Sequence, residues 1–161
     1  MGDREPARAD HPLPVLLLTA AFIVAADLLT KALASRLLAP GFPVRVLGDV
    51  VRFTLVHNTG AAFGLFPGSR TAFIAFSLLA ILVIVVLYLR LAERHRLELV
   101  ALGALLGGAL GNLHDRVRQG FVVDFIEIGI DRFRWPVFNV ADIAVTAGVA
   151  LLLLVMARRS S

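Results

Sequence analysis

Cysteine is absent from this 161-residue chain, and charged residues make up only 17% of it. The absence of cysteine excludes disulfides, thiolate metal sites and a cysteine nucleophile. Hydrophobic residues account for 58% of the chain, with a mean hydropathy of +0.84, whereas ordinary soluble domains contain roughly 45–50%. A soluble domain of this size leaves about a third of its unfolded surface in water. We therefore expect lipid to surround most of the chain.

The chain also lacks the sequence signatures of several classes of function. The net charge is +4, but basic residues in a membrane protein mostly mark topology and contact headgroups, so no nucleic-acid partner is expected. The chain has no G-x-S-x-G, no phosphate-binding glycine loop and no H-E-x-x-H motif, and His57 and His114 lack metal-ligand spacing. Neither a metal nor another cofactor is expected.

Four apolar segments, each long enough to cross a bilayer, lie at about 13–38, 71–89, 97–113 and 137–156. With loops at about 39–70 and 114–136, they predict one mainly α, membrane-embedded domain spanning residues 1–161. The first segment resembles a cleavable signal peptide, but the tail before it is acidic, which favours a retained helix. In the third segment, glycines four residues apart would let a neighbouring helix approach closely.

The first loop contains the only clear strand pattern. Val44–Val56 alternates apolar and polar residues around Gly48 and Asp49, which predicts a β-hairpin. Residues 61–63, after Gly60, are expected to dip back toward lipid. Four spans put both termini on one side, and short arginine-containing stretches adjoin the helix ends there. The positive-inside rule then predicts cytoplasmic termini and external long loops.

Ionisable residues within apolar segments are functional candidates because their burial is costly. Asp27 and Lys31 are four residues apart on one helix face, which favours a buried structural ion pair. An alternative interpretation adds Ser35 and makes a Ser–Lys nucleophile system.

Asp124 and Asp142 come from separate segments and have apolar neighbours. Two carboxylates that meet in a poorly hydrated site share one proton, so that one acts as base and the other as acid. Such a pair can activate water against a peptide carbonyl. The alternative is that Asp142 caps the fourth helix and Asp124 pairs with an arginine.

Three further polar side chains lie near the same end of the predicted bundle. Asn112 and Arg116 are four residues apart on one face, and the arginine fork suits a backbone carbonyl or a carboxylate. The alternative has Arg116 reaching the headgroups with Asp115 as its counter-ion. Asn139 precedes Asp142 by three residues on the same face.

Taken together, these motifs resemble the lipoprotein signal peptidase (signal peptidase II) family, in the family's order and on four spans. The resemblance extends from about Asp27 to about Gly148 and rests on four blocks: DLLTK, with Asp27 and Lys31; HNTGAAFGLF, with Asn58 and Gly60; GGALGNLHDRVRQGFVVDFI; and FNVADIAV.

The resemblance implies an aspartic endopeptidase of the bacterial inner membrane that cuts prolipoproteins just before a diacylglyceryl-modified cysteine and is inhibited by globomycin. It implies a four-helix membrane bundle with an external β-cradle and a short external helix. By motif, the catalytic dyad falls on Asp124 and Asp142, and the first block is structural. Substrate-binding or supporting positions fall on Asn58, Gly60, Asn112, Arg116 and Asn139.

Two rival functions remain open from the residues alone. A small proton-coupled carrier would use Asp27, Asp124 and Asp142 as a relay, and predicts acids at staggered depths. A structural assembly subunit is favoured by the glycine stripe Gly103–Gly111 alone.

Overall fold

The computed structural model describes residues 12–60, 70–90 and 95–159. Its helices are α1 (Pro12–Leu37), α2 (Arg70–Arg90), α3 (Arg96–Gln119) and α4 (Val140–Arg159). All four are long and apolar enough to cross a membrane. The chain is therefore a multi-pass membrane protein, as its composition predicts.

The helix bounds differ from the sequence prediction mainly in α3 and α4. The apolar pattern ends at residue 113, but α3 continues to Gln119 and is terminated by Gly120, whose φ is 83°. The apolar pattern predicts too short an α3 because polar residues of its last turns make hydrogen bonds and ion pairs inside the protein. At the other end of the connecting segment, α4 begins at Val140 rather than 137, because Asn139 serves as its N-terminal cap.

Glycines place α3 at the centre of the bundle, packed against the other three helices. A Cβ at Gly103 or Gly107 would lie 2.7 Å from the carbonyl oxygen of Leu16 or Ala20 of α1. On the side facing α4, a Cβ at Gly108 would lie 2.6 Å from the carbonyl oxygen of Ala141. The stripe is thus used for packing within the chain, which removes the reason to propose an assembly subunit.

The outer helix faces are apolar and uncovered. In α2, the buried residues are only Ser77 and Ile84, and large side chains such as Leu82 are more than half exposed. Because α1 and α4 show similar apolar exposure, the natural partner of these faces is the hydrocarbon of a bilayer.

Four antiparallel strands, β1 (Val44–Leu47), β2 (Val51–Asn58), β3 (Val122–Ile130) and β4 (Phe133–Arg134), form one sheet in the order β1-β2-β3-β4. The predicted hairpin is present as β1 and β2. The sheet lies at the end of the bundle where α1 and α3 finish, and β3 contacts both helices. The short external helix that the resemblance implies is not present in residues 12–60, 70–90 and 95–159. Residues 61–63, which the sequence predicts to dip back toward lipid, lie outside the described residues.

Candidate active site

Strand register brings Asn58 and Asp124 together. β2 and β3 pair Asn58 with Val122 and Val56 with Asp124, so Asn58 and Asp124 are diagonal neighbours on one face of the sheet. The Asn58 Nδ2 group donates a 2.8 Å hydrogen bond to Asp124 Oδ2. The side chain of Asp124 is 2% exposed, so this carboxyl meets the protein rather than bulk water.

A short segment before α4 delivers Asn139 to the same carboxyl. Phe138 exchanges backbone hydrogen bonds with Ile126 of β3, which aligns this segment with the strand. The fully buried Asn139 then donates from Nδ2 to Asp124 Oδ1 at 2.7 Å. Both oxygens of Asp124 therefore accept an amide N–H.

Asp142 is held at the first turn of α4. Its backbone N–H donates to Asn139 Oδ1 at 2.9 Å, while its Oδ2 accepts the backbone N–H of Asn139 at 3.2 Å. This reciprocal pair is a capping box, in which Asn139 is the cap and Asp142 occupies the third helical position. From α3, Asn112 Nδ2 donates to Asp142 Oδ1 at 2.8 Å.

A buried ion cluster lies behind Asn112. Lys31 Nζ is 2.7 Å from Asp27 Oδ2, 3.0 Å from Asp115 Oδ2 and 3.0 Å from Asn112 Oδ1. Asp27 also accepts the backbone N–H of Ala141 at 2.9 Å. The predicted Asp27–Lys31 contact therefore exists as part of a larger cluster that joins α1, α3 and α4.

Gly60 fixes the orientation of Asn58. Its backbone N–H donates to Asn58 Oδ1 at 2.8 Å, which leaves Nδ2 facing Asp124. The φ of Gly60 is 91°, and a Cβ there would overlap the ring of Phe73. The position therefore requires glycine for two independent reasons.

Arg116 lies toward α2 rather than against Asn112. Its Nη1 is 3.4 Å from Ser77 Oγ, and its guanidinium lies 5.5 Å from the ring centroid of Phe73. The positive charge nevertheless interacts favourably with Asp142 and Asp124. The charge of Arg116 thus partly balances that of the two carboxyls.

The electrostatics of Asp124 differ from those of a surface carboxyl. Its pKa is raised from 3.8 to about 6, and burial is the largest cause. The negative charge of Asp142 contributes to the increase, whereas hydrogen bonds from Asn58 and Asn139 and the charge of Lys31 oppose it. A carboxyl with this pKa can exchange a proton near neutral pH.

This pKa predicts a pH-dependent effect of Asp124→Asn on stability. Between about pH 4 and 6 the folded protein binds more protons at Asp124 than the unfolded chain does. Because of this group, the free energy of unfolding of the wild-type protein falls as the pH rises through that interval. Relative to wild type, the free energy of unfolding of Asp124→Asn should increase by about 2 to 3 kcal/mol over that interval and stay level above it. Melting temperatures in one detergent, measured from pH 4 to 8, would show this; a pH-independent difference would contradict it.

An open groove of about 440 Å³ begins at Asp142 and follows α4. Among the described residues that line it, only Asp142 is charged, and the lining continues through small and apolar side chains: Trp135, Phe138, Ile143, Thr146, Ala147 and Ala150. The groove is suited to an apolar chain or an extended peptide next to the carboxyl.

The structure bears differently on the two halves of the alternative interpretation of the aspartates. Asp142 does take part in capping α4, since its carboxylate accepts the backbone N–H of Asn139. Within residues 12–60, 70–90 and 95–159, Asp124 has amide partners rather than an arginine, and Asp115 pairs with Lys31 rather than Arg116. No Ser35–Lys31 hydrogen bond occurs in the described part of the chain, where Lys31 Nζ contacts three other oxygens. Sequence reasoning missed Asp115 as a partner of Lys31, although its three-residue spacing from Asn112 places both on one face of α3.

Comparisons with known proteins agree on one family. A family profile described as "Signal peptidase (SPase) II" matches residues 19–158. A lipoprotein signal peptidase of Moorella thermoacetica is 41% identical over 87% of this chain and 90% of its own length. Its counterpart in Francisella tularensis subsp. novicida is 39% identical over 83% of this chain and 86% of its own length.

A solved structure described as a bacterial membrane enzyme shares 31% identity with this chain at a TM-score of 0.84, covering 98% of this chain and 95% of the other. None of these relatives is named as a carrier, so the proton-carrier alternative has no support. The chain belongs to the signal peptidase II family of membrane peptidases, which process prolipoproteins.

Proposed function

We propose that Asp124 and Asp142 are the catalytic dyad of an aspartic endopeptidase that removes signal peptides from diacylglyceryl-modified prolipoproteins, cutting just before the lipidated cysteine. The observation that carries the proposal is the convergence of amide groups from Asn58, Asn112 and Asn139 on these two carboxyls. Such an arrangement holds two acids from different elements in one site, where one proton can be shared.

The reaction requires only water and the two carboxyls. One ionised carboxylate takes a proton from water as the water oxygen bonds to the scissile carbonyl carbon, and the protonated carboxyl donates to the carbonyl oxygen. Collapse of the tetrahedral intermediate breaks the C–N bond. The leaving amine takes the proton that the first carboxyl removed from water, and the second carboxylate takes a proton back from a hydroxyl of the intermediate, which restores the starting protonation state. Arg116, whose charge interacts with both aspartates, limits the electrostatic cost of the ionised state.

The groove beside Asp142 favours a membrane-anchored substrate. Its apolar lining along α4 offers contact to acyl chains or to a signal helix, while the polar contacts near Asp142 are few. Membrane lipids would occupy the same apolar surfaces in the absence of substrate. We propose that Asn58, Gly60, Asn112 and Asn139 support the dyad and that Arg116 also borders the bound peptide.

A reconstituted assay tests the proposal. Purified protein in detergent is incubated with a diacylglyceryl-modified prolipoprotein, and the product is identified by mass spectrometry. We expect a new N-terminus at the lipidated cysteine and inhibition by the cyclic peptide globomycin. Cleavage at another bond, or no cleavage by a folded preparation, would contradict the proposed function.

We further propose that the protein resides in the bacterial cytoplasmic membrane with both termini in the cytoplasm and the sheet and dyad on the extracytoplasmic side. The chain has no native cysteine, so single-cysteine labelling is clean. In intact cells, a membrane-impermeant thiol reagent should label Arg132→Cys, in the β3–β4 turn, and should label Arg96→Cys, at the start of α3, only after lysis. Labelling of Arg96→Cys in intact cells, with Arg132→Cys labelled only after lysis, would contradict the proposed topology.

A further inference from the structure

Lys31 is a buried cation that the proposed chemistry does not use, yet it is separated from Asp142 by one side chain. Its Nζ donates to Asn112 Oδ1 at 3.0 Å, and Asn112 Nδ2 donates to Asp142 Oδ1 at 2.8 Å. We propose that Lys31 is a positioning residue, which holds the Asn112 amide in the one orientation that donates to Asp142. This inference rests on the proposed function of Asp142.

The orientation follows from the hydrogen-bonding capacities of the groups. An asparagine amide has two ends of nearly equal size, one acceptor and one donor. The ammonium of Lys31 only donates, so it selects Oδ1 of Asn112, and Nδ2 is then directed to the carboxylate. Asn139 Nδ2, at 3.1 Å from the same Oδ1, supports this orientation from the other side. Without Lys31, rotation of the amide would place an oxygen against Asp142.

The position of Lys31 is itself fixed by two carboxyls that are anchored to the backbone. Asp27 accepts the N–H of Ala141 at 2.9 Å, and Asp115 accepts the N–H of Val123 at 3.1 Å. Ala141 directly precedes Asp142 in the sequence, and Val123 directly precedes Asp124. The cluster therefore ties the ammonium to the start of α4 and to β3, the elements that carry Asp142 and Asp124.

Lys31 differs from the groups that orient the other two asparagines. Backbone N–H groups of Gly60 and Asp142 bind the Oδ1 atoms of Asn58 and Asn139. Lys31 binds Asn112 through its side chain, so the hydrogen bond that orients Asn112 can be removed by substitution without altering the backbone. Lys31→Met keeps an unbranched apolar side chain of similar length and deletes all three donors.

A double-mutant cycle between Lys31→Met and Asn112→Ala tests the inference. Because a hydrogen bond to a charged group is lost, we expect Lys31→Met alone to lower kcat by about 10- to 100-fold, with KM changed by less than about threefold. In the Asn112→Ala background, where no amide remains to be oriented, Lys31→Met should lower kcat by less than about threefold. A merely structural role would lower kcat by the same factor in both backgrounds, which would overturn the inference.

A second cycle covers the case in which Lys31→Met does not fold, since it leaves two buried carboxyls without their cation. The cycle is repeated with Asp115→Asn as the parent. Adding Lys31→Met to that parent restores the wild-type net charge of the cluster, and an asparagine there can still accept the N–H of Val123. In the Asp115→Asn parent we again expect Lys31→Met to lower kcat when Asn112 is present, and by less than about threefold when Asn112→Ala is also present. Equal reductions in kcat with and without Asn112→Ala would again overturn the inference.

Asp142→Asn, assayed in parallel, separates this inference from the proposed function. If Asp142→Asn cleaves at the wild-type rate, the proposed dyad is wrong. If it is inactive while the Lys31 and Asn112 effects multiply, only the positioning role is wrong.

Discussion

Replacing either Asp124 or Asp142 by asparagine is expected to lower the rate of prolipoprotein cleavage by about a thousandfold or more while the protein still inserts and folds. General acid–base groups contribute roughly 10²–10⁴-fold each, and an amide can neither take a proton from water nor donate one to the carbonyl oxygen in this way. The rate is measured with the lipidated precursor in detergent, and folding is checked by thermal unfolding.

A matched control comes from the same part of the chain. Asp131 is an exposed carboxyl in the turn after β3, with a φ of 49°, a conformation that asparagine tolerates well. Asp131→Asn should keep the wild-type rate. Lys31→Met and replacements of Ser35 should retain at least partial activity. Near wild-type cleavage by Asp124→Asn or Asp142→Asn would exclude that residue from the dyad.

Removing the diacylglyceryl group from the substrate is expected to slow cleavage by about a hundredfold or more. Each buried methylene of an acyl chain adds about 0.8 kcal/mol of membrane anchoring, so two chains hold the cysteine at the interface. Under the proposed function they also fix its depth, so that the preceding peptide bond would lie level with Asp142. Apart from Asp142, the described residues that line the groove are uncharged. They offer a peptide backbone few polar contacts that could replace the anchoring by acyl chains.

The comparison uses one precursor before and after diacylglyceryl transfer, in the same detergent and at the same concentration. A precursor with an altered signal-peptide sequence but an intact lipid serves as the control for peptide recognition. Equal turnover of the lipidated and unlipidated forms would show that peptide sequence alone carries recognition, and would contradict the proposed role of the lipid.

The sequence predicts the four helices because apolar segments of bilayer length have no other stable environment. The hairpin at Val44–Val56 is equally clear, because alternation around Gly48 and Asp49 is a local signal. β3 is not recognisable in this way. Its residues from Val122 to Phe125 are buried, so the strand lacks apolar–polar alternation and appears as an apolar segment interrupted by Asp124. Its pairing with β2 depends on a contact far along the chain.

The candidate residues could be chosen from the sequence, but their connections could not. Asp27 and Lys31 share a helix face, so their pairing follows from local spacing. The contact of Lys31 with Asp115 and Asn112 requires α1 and α3 to approach closely, and Gly107 and Gly111 permit that approach. The spacing predicts that Arg116 faces the same way as Asn112. The side chain instead turns toward α2, where its partners Ser77 and Phe73 carry no recognisable motif.

The most direct test of the dyad is the cleavage rate of the double variant Asp124→Asn/Asp142→Asn, compared with the two single variants. Residues that act as one catalytic unit are strongly non-additive, because loss of either already removes the mechanism. We predict that all three variants show the same residual rate within about threefold. A double variant slower by the product of the two single effects would show that the aspartates act independently, and would contradict a shared-proton dyad.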